Sequence, residues 1–122
     1  MSAGDRLARK RRSECIGRRA EWLAALALLL KGYRILALRY RTPAGEIDLV
    51  ARKGDLIAFV EVKARRDLAS GVDAVSYTAQ RRILAAGELF ISRQPDSAQL
   101  SWRCDIMVVS RWRWPVYLQD AF

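Results

Sequence analysis

The chain has 122 residues, enough for one domain with a packed core, and 52% of them are hydrophobic. Lysine and arginine outnumber aspartate and glutamate by 22 to 13, a net charge of +9 that gathers polyanions, nucleic acid foremost. Histidine is absent, which excludes Ser-His and Cys-His hydrolases, His-ligated metal nucleases and histidine acid-base chemistry, so any catalysis must rest on carboxylates, lysine, tyrosine or a metal held by oxygen.

Residues 1–15 are polar and carry the run Arg9-Lys10-Arg11-Arg12, which reads as a loose basic arm ahead of a single domain over 16–122. Ile16 to Lys31 is rich in alanine and leucine and predicts a helix stopped at Gly32, apolar all round in its later turns and therefore buried. Its segment WLAALALLL is too short to span a bilayer and has Glu21 at its edge, so neither membrane nor secretion is expected. Cys15 and Cys104 form no CxxC pair and suit a reducing cytoplasm.

Tyr33 to Arg41 reads as a strand ended by Thr42-Pro43-Ala44-Gly45. Glu46 to Arg52 alternates, with Ile47, Leu49 and Ala51 on one side and Glu46, Asp48 and Val50 on the other. After Lys53-Gly54-Asp55 comes LIAFVEVKA, apolar on both faces at first, as a central strand is. These strands predict an antiparallel meander. Arg65 to Val72 reads as a loop. From Asp73 to about Arg93, the residues Val75, Ala79, Ile83, Ala86 and Phe90 recur at helical spacing. Leu100 to Ser110 predicts a strand parallel to the third, and PVYLQ a short edge strand with Pro115 at its start.

The hairpin sets the charges. With Gly54 and Asp55 as the central residues of a type II′ turn, Asp48 faces Glu61 and Glu46 faces Lys63. Opposed carboxylates repel, a cost that a divalent cation removes, and Mg²⁺ or Mn²⁺ takes oxygen ligands without histidine. Lys63 stands beside such a site, in a layout suited to phosphodiester cleavage. Taken alone, Glu46 and Asp48 also fit a solvated strand face, and Glu46 with Lys63 an ordinary cross-strand ion pair.

GEIDLV followed by FVEVK, preceded by Ala20-Glu21 and GYRIL, resembles the YraN-like uncharacterised bacterial protein family over residues 17–122. That family is similar to PD-(D/E)XK nucleases and, among them, to archaeal Holliday junction resolvases. The resemblance implies a restriction-endonuclease-like αβββαβ core of the α/β class, a mixed central sheet with an antiparallel meander flanked by helices. It implies a divalent-metal-dependent DNA endonuclease acting on branched or structured DNA, or else a non-catalytic nucleic-acid-binding protein on the same fold. Asp48, Glu61 and Glu21 then bind Mg²⁺ or Mn²⁺, Lys63 assists catalysis, and Glu46 and Gln80 are auxiliary. Arg39, Arg41, Arg65, Arg66, Arg81 and Arg82 are the candidate phosphate contacts. A homodimer follows by analogy with the resolvases. The chain departs from the family pattern at Arg39, where Asn is usual, and at Ala79, where Lys is usual.

Overall fold

The computed structural model describes residues 2–122. It opens with helix α1, Ala3–Leu30. Ser2 caps it: Ser2 Oγ accepts from the Asp5 N–H at 3.1 Å, and the Asp5 carboxylate takes a hydrogen bond back from the Ser2 main chain. Where the sequence suggests a loose arm over 1–15, the chain from Ala3 onward is already helical. That first half stays exposed, and α1 touches the sheet only through its later turns, where Ala20, Ala24, Ala25, Ala27 and Leu28 are buried. The helix stops at Gly32, in the left-handed region at φ 91, with Tyr33 N–H donating to Leu28 O and Gly32 N–H to Leu29 O, both at 3.0 Å.

Strands β1 (Arg34–Thr42), β2 (Gly45–Lys53) and β3 (Leu56–Ala64) form the expected antiparallel meander. The segment read as a loop after β3 contains a short helix, α2 (Leu68–Asp73), capped by the Asp67 side chain. The helix expected from Asp73 begins later, as α3 (Tyr77–Ser92), because Ser76 caps it by accepting from the Ala79 N–H at 3.1 Å. Strand β4 (Ser101–Val109) runs parallel to β3, and β5 (Val116–Leu118) adds an antiparallel edge directly after Pro115. The sheet order is β1-β2-β3-β4-β5, a mixed sheet with helices on both faces.

The strands β2, β3 and β4 divide their side chains between two cores. Leu49, Ala51, Ala58, Val60, Val62 and Met107 pack under α1. Val50, Ile57, Phe59, Cys104, Ile106 and Val108 pack under α3 with Ile83, Ala86 and Phe90, most of the stripe that its spacing predicts. Such two-sided burial explains why β3 reads as a nearly unbroken apolar run. α3 approaches closely because Gly87 has no side chain: a Cβ there would come within 2.7 Å of the Phe59 ring, which is fully buried and edged by Phe90 and Trp102.

At the β4–β5 edge sits Asp105, the one fully buried charged side chain among the described residues. Arg103 Nε donates to both its oxygens, at 2.9 and 3.0 Å, and the Asp120 N–H donates to Oδ1 at 2.8 Å. Tyr117 donates its hydroxyl to Oδ2, and Arg103 Nη2 reaches Tyr33 Oη at 2.6 Å. Every polar atom of the carboxylate is thereby satisfied, as a buried charge requires. Burial and the bond to Asp105 push the Tyr117 hydroxyl well above its ordinary pKa.

Candidate functional site

The β2–β3 hairpin has the register that its turn residues predict. Gly54 has φ 62 and Asp55 does not enter the left-handed region, the requirement of a II′ turn, and the pairs run from Lys53↔Leu56 to Leu49↔Val60. The next pair in that register is Asp48 with Glu61, and there the ladder ends. Asp48 Oδ2 instead accepts the Val62 main-chain N–H at 2.9 Å, so a side chain takes over where backbone pairing stops.

Glu61 lies against Asp48 and keeps only 12% of its side chain exposed. Burial first, then a hydrogen bond to Asp48 that needs a proton, then Asp48's like charge, push Glu61 up to about 9. Lys63 Nζ, 3.9 Å from Glu61 Oε1, opposes this without cancelling it. At neutral pH the carboxylate pair therefore holds a proton.

Two expectations are corrected. Glu46 does not meet Lys63: its carboxylate pairs with Arg41 across the β1–β2 ladder at 3.5 Å, while Lys63 pairs with Glu61. Nor does Ile47 share a face with Leu49 and Ala51. Ile47 belongs to the core under α3, whereas Leu49 and Ala51 lie under α1. The facing strand switches at the same level: Leu38, opposite Leu49, lines a groove with α1, and Tyr40, opposite Ile47, packs on Phe90. Both strands thus lose their alternation at one level, at Arg39 and Asp48. Arg39 absorbs the irregularity with φ 53, a left-handed conformation that costs an arginine on the order of 1 kcal/mol. The break lets Asp48 lean toward β3.

Glu21 stands on the α1 side of this break, and Arg39 Nε donates to its Oε2 at 2.8 Å, both groups partly buried. The hydrogen bond to Glu21, reinforced by its charge, raises the Arg39 guanidinium above its ordinary pKa, and Glu46 and Asp48 are near enough to add to the effect. Of the three carboxylates that the resemblance assigns to a metal, the fold brings Asp48 and Glu61 together and leaves Glu21 bound to an arginine. Among the described residues no three Asp, Glu, Cys or His side chains group as an ion site. Gln80 is half-buried and donates to Val75 O at 3.2 Å, which ties down the loop entering α3.

The other candidate phosphate contacts, Arg41, Arg65, Arg66, Arg81 and Arg82, are exposed. Arg81 and Arg82 line a shallow cleft of about 350 Å³ with Tyr77, Thr78, Ala85 and Ala44 of the β1–β2 turn. Arg65 and Arg66 follow directly on β3, two and three residues beyond Lys63, and Arg66 pairs loosely with Asp67 at 3.5 Å. Sequence reasoning missed the part Arg39 plays at the centre, because nothing local marks an arginine as left-handed. Nor does any local pattern mark the Asp105 cluster beyond the fact that Arg103 and Asp105, two apart on β4, share one face.

A mixed sheet between helices, with a carboxylate pair where β2 and β3 part, defines an α/β protein with an acidic centre on its meander. The chain belongs to the uncharacterised protein family UPF0102, whose model matches residues 20–109. It is 58% identical to a UPF0102 protein of Chelativorans sp. (strain BNC1) over 122 residues, 100% of this chain and 98% of that one. It is 62% identical to one from Sinorhizobium medicae (strain WSM419) over 106 residues, 87% of each chain. No helix among the described residues is long and apolar enough to cross a membrane.

Proposed function

We propose that this protein is a divalent-metal-dependent endonuclease that hydrolyses phosphodiester bonds in DNA, with branched or structured DNA as its substrate. The observation that carries this reading is the Asp48–Glu61 pair, with Lys63 Nζ 3.9 Å from Glu61, at the point where β2 and β3 part. Two carboxyl groups facing each other do nothing for folding. Here they keep a proton that a cation can replace, and a donor set made only of oxygen suits Mg²⁺ or Mn²⁺. Asp48 and Glu61 would hold the ion, which when bound lowers the pKa of water and offsets charge on the phosphoryl group. Lys63 sits where it can orient the attacking water or face a phosphate oxygen. The exposed Arg41, Arg65, Arg66, Arg81 and Arg82 offer phosphate contacts around it. Free Cys15 and Cys104 suit action in the cytoplasm, and a homodimer would allow paired incisions.

The test is titration with Mn²⁺ followed by cleavage assays on single-stranded, duplex and four-way DNA. One ion per chain and metal-dependent cutting are expected. A second reading, a nucleic-acid-binding module without catalysis, is favoured by the Arg39–Glu21 pair, which occupies the third carboxylate. It is the outcome if DNA binding is salt-sensitive and indifferent to metal, because phosphate contacts release counterions whether or not cleavage follows.

The carboxylate pair also sets a pH dependence in the metal-free protein. The folded-state pKa of Glu61, about 9, lies above its ordinary 4.5, so its contribution to stability is fully present below about pH 4.5 and is lost as pH rises through about 9. Glu61→Gln removes that loss. With EDTA present, thermal melts at pH 5 should differ little between parent and variant. At pH 8 to 9 the variant should be the more stable, by up to about 5 kcal/mol. Equal melting temperatures at pH 9 would mean that Glu61 ionises without penalty.

A further inference from the structure

We propose that the exposed first half of α1 is a second nucleic-acid contact, a basic helix that lies in the major groove of duplex DNA. The inference rests on the nucleic-acid part of the reading above and is independent of the ion.

The core holds α1 only from Ala20 onward, and every residue described before Gly17 is exposed. Residues 3–16 therefore carry about 21 Å of helix away from the core, at about 1.5 Å per residue. Two points fix its direction: Lys31 and Gly32 turn α1 into β1, and farther back Glu21 meets Arg39. α1 thus runs antiparallel to β1, and its free half continues past the level of Asp48 toward the end of the sheet that carries Arg41, Arg65 and Arg66. Along residues 3–19 stand seven basic side chains, Arg6, the run Arg9-Lys10-Arg11-Arg12, Arg18 and Arg19, against Asp5 and Glu14. Asp5 serves the helix cap, and none of the seven cations forms a salt bridge among the described residues. Arg6 and Lys10, like Arg9 and Arg12, stand one turn apart, where like charges repel and weaken a helix. No pairing within the chain offsets that repulsion, whereas a polyanion does. The cations point to every side of the helix. Leu7 and Ile16, the exposed large hydrophobics of this half, lie nine positions apart and so on opposite sides. A helix that rests on a membrane needs one continuous apolar face, which this half lacks. Its all-round charge fits the major groove, about 12 Å wide against a helix of about 10 to 12 Å, where phosphates flank it on both sides.

The test is binding of a fluorescent DNA duplex to the full chain in EDTA, by anisotropy over a range of salt. The variant combines Arg9→Gln, Lys10→Gln, Arg11→Gln and Arg12→Gln, which keeps helix propensity, and circular dichroism verifies the fold. It should bind on the order of 100-fold more weakly at about 0.1 M salt, with a salt slope shallower by about two to four. Lys31→Gln with Arg34→Gln, which removes cations from the opposite end of α1 and the start of β1, should leave the slope unmoved. On a single strand of the same length, which offers no major groove, the fourfold variant should lose several-fold less. If the parent binds the duplex and the fourfold variant matches it in affinity and slope, or the control pair loses as much per cation, the helix contact is overturned and the nucleic-acid reading stands. An equal loss on single strand and duplex, or tighter binding of the parent to phosphatidylglycerol vesicles than to duplex, overturns the groove contact as well. If the parent binds neither duplex nor four-way DNA, both readings are overturned.

Discussion

Replacing Asp48 with alanine is expected to abolish Mn²⁺ and Mg²⁺ binding and bring DNA cleavage down to background, while DNA affinity persists. The ion loses one of the two carboxylates that the fold brings together. The arginines that would meet phosphate lie elsewhere, on β1, on α3 and beyond β3. The substitution also strips the Val62 N–H of its acceptor, and a buried donor left unsatisfied costs about 1 to 3 kcal/mol. Against that, Glu61 no longer faces a like charge. Asp48→Asn separates the two effects. Its amide oxygen still accepts from Val62 while the negative charge is gone, so the asparagine variant should fold at least as stably at pH 8 and still fail to bind the ion. Calorimetry and a cleavage assay on the same preparations check both. Cleavage by Asp48→Ala at the parent's rate would mean that the activity comes from another site or another protein.

The largest loss of stability is expected at Asp105, remote from chemistry. Asp105→Ala leaves the partly buried Arg103 against two tyrosine hydroxyls with no counter-charge, and removing one partner of a buried ion pair costs up to about 3 to 5 kcal/mol. For a domain of this size that is a large share of its total stability, about 5 to 15 kcal/mol. Chemical denaturation should show the full loss. Because Asp105 also receives the Tyr117 hydroxyl and the Asp120 N–H, hydrogen exchange should show β5 and the residues after it losing protection first. Asp105→Asn keeps the acceptors without the charge and should fall between. A loss below about 1 kcal/mol in Asp105→Ala would mean that solvent reaches Arg103 freely.

These two acids also mark how far the sequence was legible. Turn chemistry is local, so Gly54-Asp55 and the stop at Gly32 predicted the hairpin register and the end of α1. The two-sided apolar run of β3 announces a central strand, and the helix between β3 and β4 announces their parallel pairing. Alternation along β2, by contrast, reads as continuous through Ile47, Asp48 and Leu49. It breaks there because Arg39 on the neighbouring strand turns left-handed, an event that no pattern within β2 records. The carboxylate pair was legible because the turn set its register. The Arg39–Glu21 bond was not, since it joins a helix to a strand 18 residues away through a strained backbone. The Asp105 network, likewise, depends on Tyr33 and Tyr117 arriving from opposite ends of the fold.

The most direct test is diffraction from crystals soaked in Mn²⁺ at saturating concentration, with anomalous scattering recorded at the manganese edge. A single peak between the carboxylates of Asp48 and Glu61 is the predicted result. A map with no anomalous signal at that position, or with manganese bound only elsewhere, would contradict the metal-nuclease reading.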